Sequence, residues 1–151
     1  AMIALENGKF NKNLYRKFII KNVDAHGDTQ YMQEVVLRQY KNVIANNEQL
    51  PNLIIADGTK NQINAIKTSL KRLNIDQYIR VIGLVKNKHH QTDKIMAEDY
   101  QEILLEPKSY LYMYLAKIQD EVHRFAITFF RKKKHNSLLK SKLNEIPGVG
   151  V

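Results

Sequence analysis

The 151-residue sequence contains no cysteine, which excludes a disulfide framework and the small secreted scaffolds built on one. It also has no apolar run approaching the roughly 20 residues that a membrane-spanning helix needs, so no membrane is expected. The opening AMIALENGKF lacks both a charged n-region and an apolar stretch long enough for a signal peptide. Together these absences give a cytoplasmic address. Internal repeats and low-complexity segments are missing as well, which excludes a solenoid or a linker.

What is present reads as one globular domain of ordinary size. The apolar fraction is 44%, with five Phe and eight Tyr spread among charges, and the length suffices to bury a core. Lys and Arg number 24 against 15 Asp and Glu, a net charge of +9. That balance is unusual for an enzyme of small neutral metabolites and favours a polyanion, nucleic acid above all.

Met2 to Glu6 is a short apolar run ended by Asn7-Gly8, a hairpin turn signal, and Tyr15 to Lys21 is rich in aromatic and β-branched residues. The two are expected to form antiparallel strands. After Gly27, Asp28 and Thr29 can cap a helix, and Met32, Val35, Val36, Tyr40, Val43 and Ile44 recur at three-to-four spacing to about Asn46. The continuous apolar run Leu53 to Ala56 predicts a strand buried on both faces, stopping at Asp57-Gly58. A second helix is expected over Lys60 to Leu73 and a second buried strand over Ile79 to Val85, which together imply a parallel unit. Lys86 to Thr92 is a polar, basic surface loop. Weak strands are expected around Ile95 and Ile103, and a long amphipathic helix from Ser109 through Phe129, followed by a basic tail.

Asp57 is the most informative residue. A carboxylate at the carboxyl end of a buried strand, followed by glycine, lies where α/β folds place their sites; capping of the next helix is the alternative reading. Lys60 and Gln62 follow within one turn, so a carboxylate for a divalent ion and a cation for phosphate can share one patch. His123 in DEVHRF lies near an apolar helix face, where a histidine is more often packed than catalytic. Asp120 could orient its imidazole, and Arg124 could pair with Asp120 at i, i+4 spacing. Arg131, Lys132, Lys133, Lys134 and His135 form a run denser than helix capping requires, which favours phosphate contact. The loop histidines His89 and His90 lack the spacing of a metal site and go to solvent or phosphate with Lys86 and Lys88. The turn in LNEIPGVGV could hold a phosphate on its backbone amides.

Four segments, PNLIIADGTKNQINA, RVIGLVKNKHHQTDKI, AKIQDEVHRFAITFFRKKK and LNEIPGVG, in this order and spacing resemble UvrC, the bacterial nucleotide excision repair nuclease family. The stretches AMIALENGKFNKNLYRKFIIKNV and GDTQYMQEVVLRQY are similar to that family too, so the resemblance covers essentially the whole chain. It implies the C-terminal endonuclease domain, an α/β, ribonuclease H-like mixed sheet flanked by helices, over residues 1–140. Residues 141–151 resemble the opening of a helix-hairpin-helix module. The implied activity is a metal-dependent incision 5′ to a lesion in duplex DNA handed over by UvrB, with UvrA upstream. The implied site uses two aspartates and a histidine with Mg²⁺ or Mn²⁺, of which Asp57 and His123 match the second aspartate and the histidine. Lys60, Gln62, Arg16 and Arg124 match residues common to the family motifs and are expected in phosphate binding or support of the site. Gly27-Asp28-Thr29 departs from the family's pair of acids after the glycine. The family's first catalytic aspartate lies on a central strand preceding the segment that matches Ala1 to Glu6, so the resemblance also implies a fragment that lacks that strand and is inactive as given. The family's N-terminal nuclease and its UvrB-contacting segment are likewise not expected in this sequence. A non-catalytic DNA-binding module with the same fold is the alternative, and a partner-docking domain with incidental charge a third.

Overall fold

A computed structural model describes residues 1–18 and 27–144. The chain divides into two compact units, Ala1–Ile19 with Leu115–Val151, and Ile20–Tyr114.

In the unit Ile20–Tyr114, helix α1 (Gly27–Ala45) is followed by strand β3 (Leu53–Ala56), helix α2 (Lys60–Arg72) and strands β4 (Arg80–Lys86), β5 (Thr92–Met96) and β6 (Glu102–Leu104), and the first turns of helix α3 (Tyr110–Asn144) close it. The strands form one mixed sheet in the order β3-β4-β5-β6. β3 and β4 are parallel, Ala56 lying opposite Gly83, as a strand-helix-strand crossover requires. β4, β5 and β6 then run antiparallel. The expected mixed sheet flanked by helices is present.

Its core follows from the helix period. Val36, Tyr40 and Val43 of α1 and Ile63, Ile66 and Leu70 of α2 form one buried cluster with Ala56, Val81 and Met96 of the sheet. Each fully buried aliphatic side chain contributes roughly 1.5–3 kcal/mol, and Ile63, Leu70 and Val81 are wholly removed from solvent. Ser69 is also fully buried and satisfies its hydroxyl by donating to the Gln33 carbonyl, 2.9 Å away, which ties α2 to α1. Ile44, expected on the apolar face of α1, is 45% exposed.

One expectation for the sheet needs correction. Leu53 to Ala56 is not buried on both faces: Leu53 is 44% exposed, and among the described residues β4 is the only strand partner of β3. An edge strand is covered on fewer sides than an interior one, whatever its composition.

In the unit Ala1–Ile19 with Leu115–Val151, β1 (Leu5–Glu6) pairs antiparallel with β2 (Lys9–Phe10). Asn7 and Gly8 both take positive φ, 53° and 79°, the geometry of a two-residue hairpin turn that twists with its strands. The returning strand is therefore Lys9–Phe10 rather than the expected Tyr15 to Lys21, because a turn that tight reverses the chain at once. The longer pairing persists as a single antiparallel bridge between Met2 and Arg16; residues 19–21 of the expected strand lie outside the described residues. The rest of α3 completes this unit, and here too the structure differs from expectation. The basic segment after Phe129 is no tail but continues as helix to Asn144, since Lys and Arg are good helix formers. The turn expected in LNEIPGVGV lies outside the described residues from position 145 onward. No helix among the described residues is long and apolar enough to cross a membrane.

Candidate active site

The Asp57 turn is built by close packing. Asp57 leaves the end of β3, and the following Gly58 carbonyl comes so near β4 that a Cβ built on Gly83 would lie 2.3 Å from its oxygen. Glycine at 83 is thus the condition for the turn to rest on the sheet. Gln62 fixes the turn from the other side: its Oε1 accepts from the Thr59 backbone N–H at 3.0 Å, the reciprocal half of a capping box. That bond holds the Gln62 side chain over the start of α2.

The carboxylate itself is accessible, its side chain being 42% exposed. Lys86, at the end of the neighbouring parallel strand, brings Nζ to 3.6 Å from Asp57 Oδ1. The register of β4 against β5 shifts between Val85 and Lys86, and such a bulge re-aims a side chain. With both partners this exposed the pair contributes little to stability, so its interest lies in placing a cation beside the acid. Lys60, three residues after Asp57, holds its ammonium 4.9 Å from the centre of the Tyr100 ring, and Lys67 sits 6.0 Å from the same ring. Glu98 joins this region to the core: its Oε1 accepts from the Val81 amide at 2.7 Å and its carbonyl from Lys67 Nζ at 3.0 Å. The surface loop expected over Lys86 to Thr92 is shorter, because Lys86 ends β4 and Thr92 opens β5 and is buried; what remains is the turn Asn87–Gln91, closed by the Asn87 amide on the Gln91 carbonyl at 2.8 Å. A separate open cleft of about 350 Å³ is lined, among the described residues, by Thr29, Gln33, Asn61, Asn64 and Ala65.

The remaining candidates lie in the other unit. His123 is exposed on α3. Arg124 pairs through Nε with Glu121 and not, as expected, with Asp120; the i, i+3 partner has its side chain tucked to 14% exposure, where the guanidinium can lie across it. Arg16 donates through Nη1 to the carbonyls of Asn13 at 3.0 Å and Tyr15 at 2.8 Å, so its guanidinium braces its own turn. Tyr15 meets Phe125 edge-on, with centroids 5.0 Å apart, and Lys17 lies 5.1 Å from the same Phe125 ring. Arg131 and Lys134 are exposed on the last turns of α3; the side chains of Lys132 and Lys133 lie outside the described residues.

Asp57, Lys60, Gln62 and Lys86 are thus gathered in one unit, and Arg16, His123, Arg124, Arg131 and Lys134 belong to the other. Sequence reasoning missed Glu121, Tyr15, Glu98, Tyr100 and Gly83. Only Glu121 had a local signal, its position within one turn of Arg124. Among the described residues no three His, Asp or Glu side chains converge to hold a metal ion. Asp57 supplies one hard oxygen donor group where a divalent ion takes about six ligands, so the described residues do not by themselves fit one.

The model of the UvrC RNase H endonuclease domain matches residues 1–127. Over 150 residues the chain is 53% identical to UvrABC system protein C of Malacoplasma penetrans, covering 99% of this chain and 26% of that protein. The corresponding proteins of Mycoplasmoides gallisepticum and Ligilactobacillus salivarius are 51% and 44% identical over 151 residues, 26% and 25% of their lengths. The chain therefore spans about a quarter of these relatives.

Proposed function

The chain belongs to the UvrC family, over its RNase H endonuclease domain, and from that membership we propose that it is the DNA endonuclease domain that hydrolyses a phosphodiester bond 5′ to a lesion in bacterial nucleotide excision repair. The observation that carries the reading is the exposed Asp57 carboxylate at the carboxyl end of a parallel strand, with the Lys86 ammonium 3.6 Å away. An acid beside a cation on a solvent-facing turn suits a phosphate whose charge must be held while water attacks. The relatives' name, UvrABC system protein C, supports damaged duplex DNA as substrate and UvrA and UvrB as partners.

Within that reading, Lys60 and Lys86 neutralise phosphate at the Asp57 turn, and Gln62 keeps the turn in shape. His123, exposed on α3, either ligates the metal or exchanges a proton with the attacking water or the leaving oxygen. Arg16, Arg124, Arg131, Lys132, Lys133 and Lys134 hold the DNA backbone and give binding its salt dependence. Mg²⁺ or Mn²⁺ is proposed from the resemblance, in which Asp57 and His123 match residues of the family's metal-dependent site.

The test is incision of a UvrB-bound, lesion-containing duplex by the longer protein that carries this chain, with Mn²⁺, against Asp57→Asn and His123→Ala. The expected result is a loss of 5′ incision of at least about a hundredfold in both variants, with DNA affinity retained. Undiminished incision by Asp57→Asn would overturn the catalytic reading. The absence of a gathered ion site among the described residues favours one second reading, a DNA-binding module without chemistry, which requires that no form of the protein cut at this position.

A further inference from the structure

Tyr100 holds a backbone conformation that its residue type resists. It lies between β5 and β6 with φ at 70°, the left-handed region that Asn7, Asn47 and Asn74 also occupy. A short polar side chain enters that region readily, whereas a tyrosine there is strained and stays only where its surroundings fix it. Here they do. The Tyr100 amide donates to the Ala97 carbonyl at 2.9 Å, the Ala97 amide to the Gln101 carbonyl at 2.9 Å, and the Gln101 amide to Asp99 Oδ1 at 3.2 Å. Glu98, in the same turn, accepts from the Val81 amide through its carboxylate and from Lys67 Nζ through its carbonyl. The Tyr100 side chain packs against the core cluster of α1, α2 and the sheet.

This strained turn sets an aromatic ring against α2. Lys60 and Lys67 stand two turns apart on one face of that helix, and their ammonium groups lie 4.9 and 6.0 Å from the Tyr100 centroid. The lysines near the Asp57 turn differ in what holds them. Lys86 faces the Asp57 carboxylate at 3.6 Å, an opposite charge that offsets its own. Lys60 is exposed and rests on a neutral ring face, which attracts the cation through its quadrupole and leaves the positive charge uncompensated. The ring engages one side of the ammonium, so N–H donors remain for an anion. Holding a flexible four-carbon side chain in place before the anion arrives also removes part of the entropic cost of binding it.

We propose that Tyr100 is a positioning residue for Lys60: its ring, fixed by the left-handed turn, holds the Lys60 ammonium at the start of α2, charged and preorganised, for the phosphate that comes to the Asp57 turn. This rests on the reading that the Asp57 turn is the place of phosphodiester cleavage. Lys60 then meets the phosphate with its full charge and with little side-chain freedom left to lose.

The experiment is the single-turnover rate of incision of a UvrB-bound, lesion-containing duplex, with Mn²⁺, by the longer protein that carries this chain. Position 100 carries tyrosine, phenylalanine, leucine or a trifluorinated phenylalanine, each combined with Lys60 and with Lys60→Gln, and each protein is also melted. The fluorinated ring keeps the shape of phenylalanine while its face loses electron density, so it removes the attraction without removing the packing. Lys60→Gln should slow incision about tenfold. Tyr100→Phe, which keeps the ring face, should stay within about twofold of the unmodified protein, whereas Tyr100→Leu and the fluorinated ring should slow incision about threefold. In the Lys60→Gln background neither should slow it further. No incision by the unmodified protein, or undiminished incision by Lys60→Gln, sinks the reading of the site and this inference with it. A slowed Lys60→Gln combined with a fluorinated ring as fast as phenylalanine, or with losses equal in both backgrounds, overturns the role of Tyr100 alone. Should Tyr100→Leu melt too low to assay, the two phenylalanine rings, matched in shape, decide the question.

Discussion

In the unit Ile20–Tyr114, side chains from α1, α2 and the sheet interlock in one buried cluster drawn from distant parts of the sequence. In the unit formed by Ala1–Ile19 and Leu115–Val151, a two-stranded hairpin and the segment after it meet a long helix, Tyr15 on Phe125 with Lys17 near the same ring, and the hairpin's Phe10 ring 5.9 Å from Lys117. The first unit holds the candidate acid; the second holds the candidate histidine and most of the candidate phosphate-binding residues. The difference teaches where change is tolerated. Apolar interlocking fixes backbone position and leaves the Asp57 turn little freedom, whereas ring-edge and cation–ring contacts tolerate repacking and suit side chains that must follow a polyanion.

That contrast can be broken most forcefully at the two contact centres. Leu70→Ala, at a site with no exposure, is expected to cost about 4 kcal/mol in chemical denaturation, and Phe125→Ala about half as much because its ring is only partly buried. Equal losses would mean that the two units do not differ in how they are held. A smaller effect separates them by pH. Burial pushes the Tyr40 phenol up to about 12 from an ordinary 10.0. The unfolded chain then releases its proton first, so the contribution is complete below pH 10 and fades as pH rises through the folded value. About 2 kcal/mol should be lost between pH 10 and 12. The check is denaturation of the unmodified protein against Tyr40→Phe, which should lack this part of the decline. The smallest effect on folding concerns the outer turns of α3. Replacing both Arg131 and Lys134 by Gln should change stability by less than about 0.5 kcal/mol, yet lower the salt slope of DNA binding by about two; an unaltered slope would remove these two from the DNA face.

The elements that repeat regularly were legible. α1, α2 and the parallel β3-β4 pair follow from the spacing of Val36, Tyr40, Val43, Ile63, Ile66 and Leu70, because period reports directly which face is buried. The strand after Asn7-Gly8 was set too far along, since the composition of Tyr15 to Lys21 outweighed the geometry of a two-residue turn. The exposure of Leu53 was not legible, as it depends on how many strands flank β3 rather than on anything in β3. At the candidate site, Asp57 could be read from strand end and glycine. Its pairing with Lys86 could not, because it needs both a parallel register and a local shift in β4. Arg124 was given the wrong acid: spacing alone admits i, i+3 and i, i+4, and only the tucked carboxylate of Glu121 decides.

The missing side chain at Gly83 makes the Asp57 turn part of the sheet in a mechanical sense. With the Gly58 carbonyl seated against β4, the carboxylate takes its bearings from a strand hydrogen-bonded on both flanks instead of from a surface loop. A single added methyl group at Gly83 would uncouple the acid from that frame.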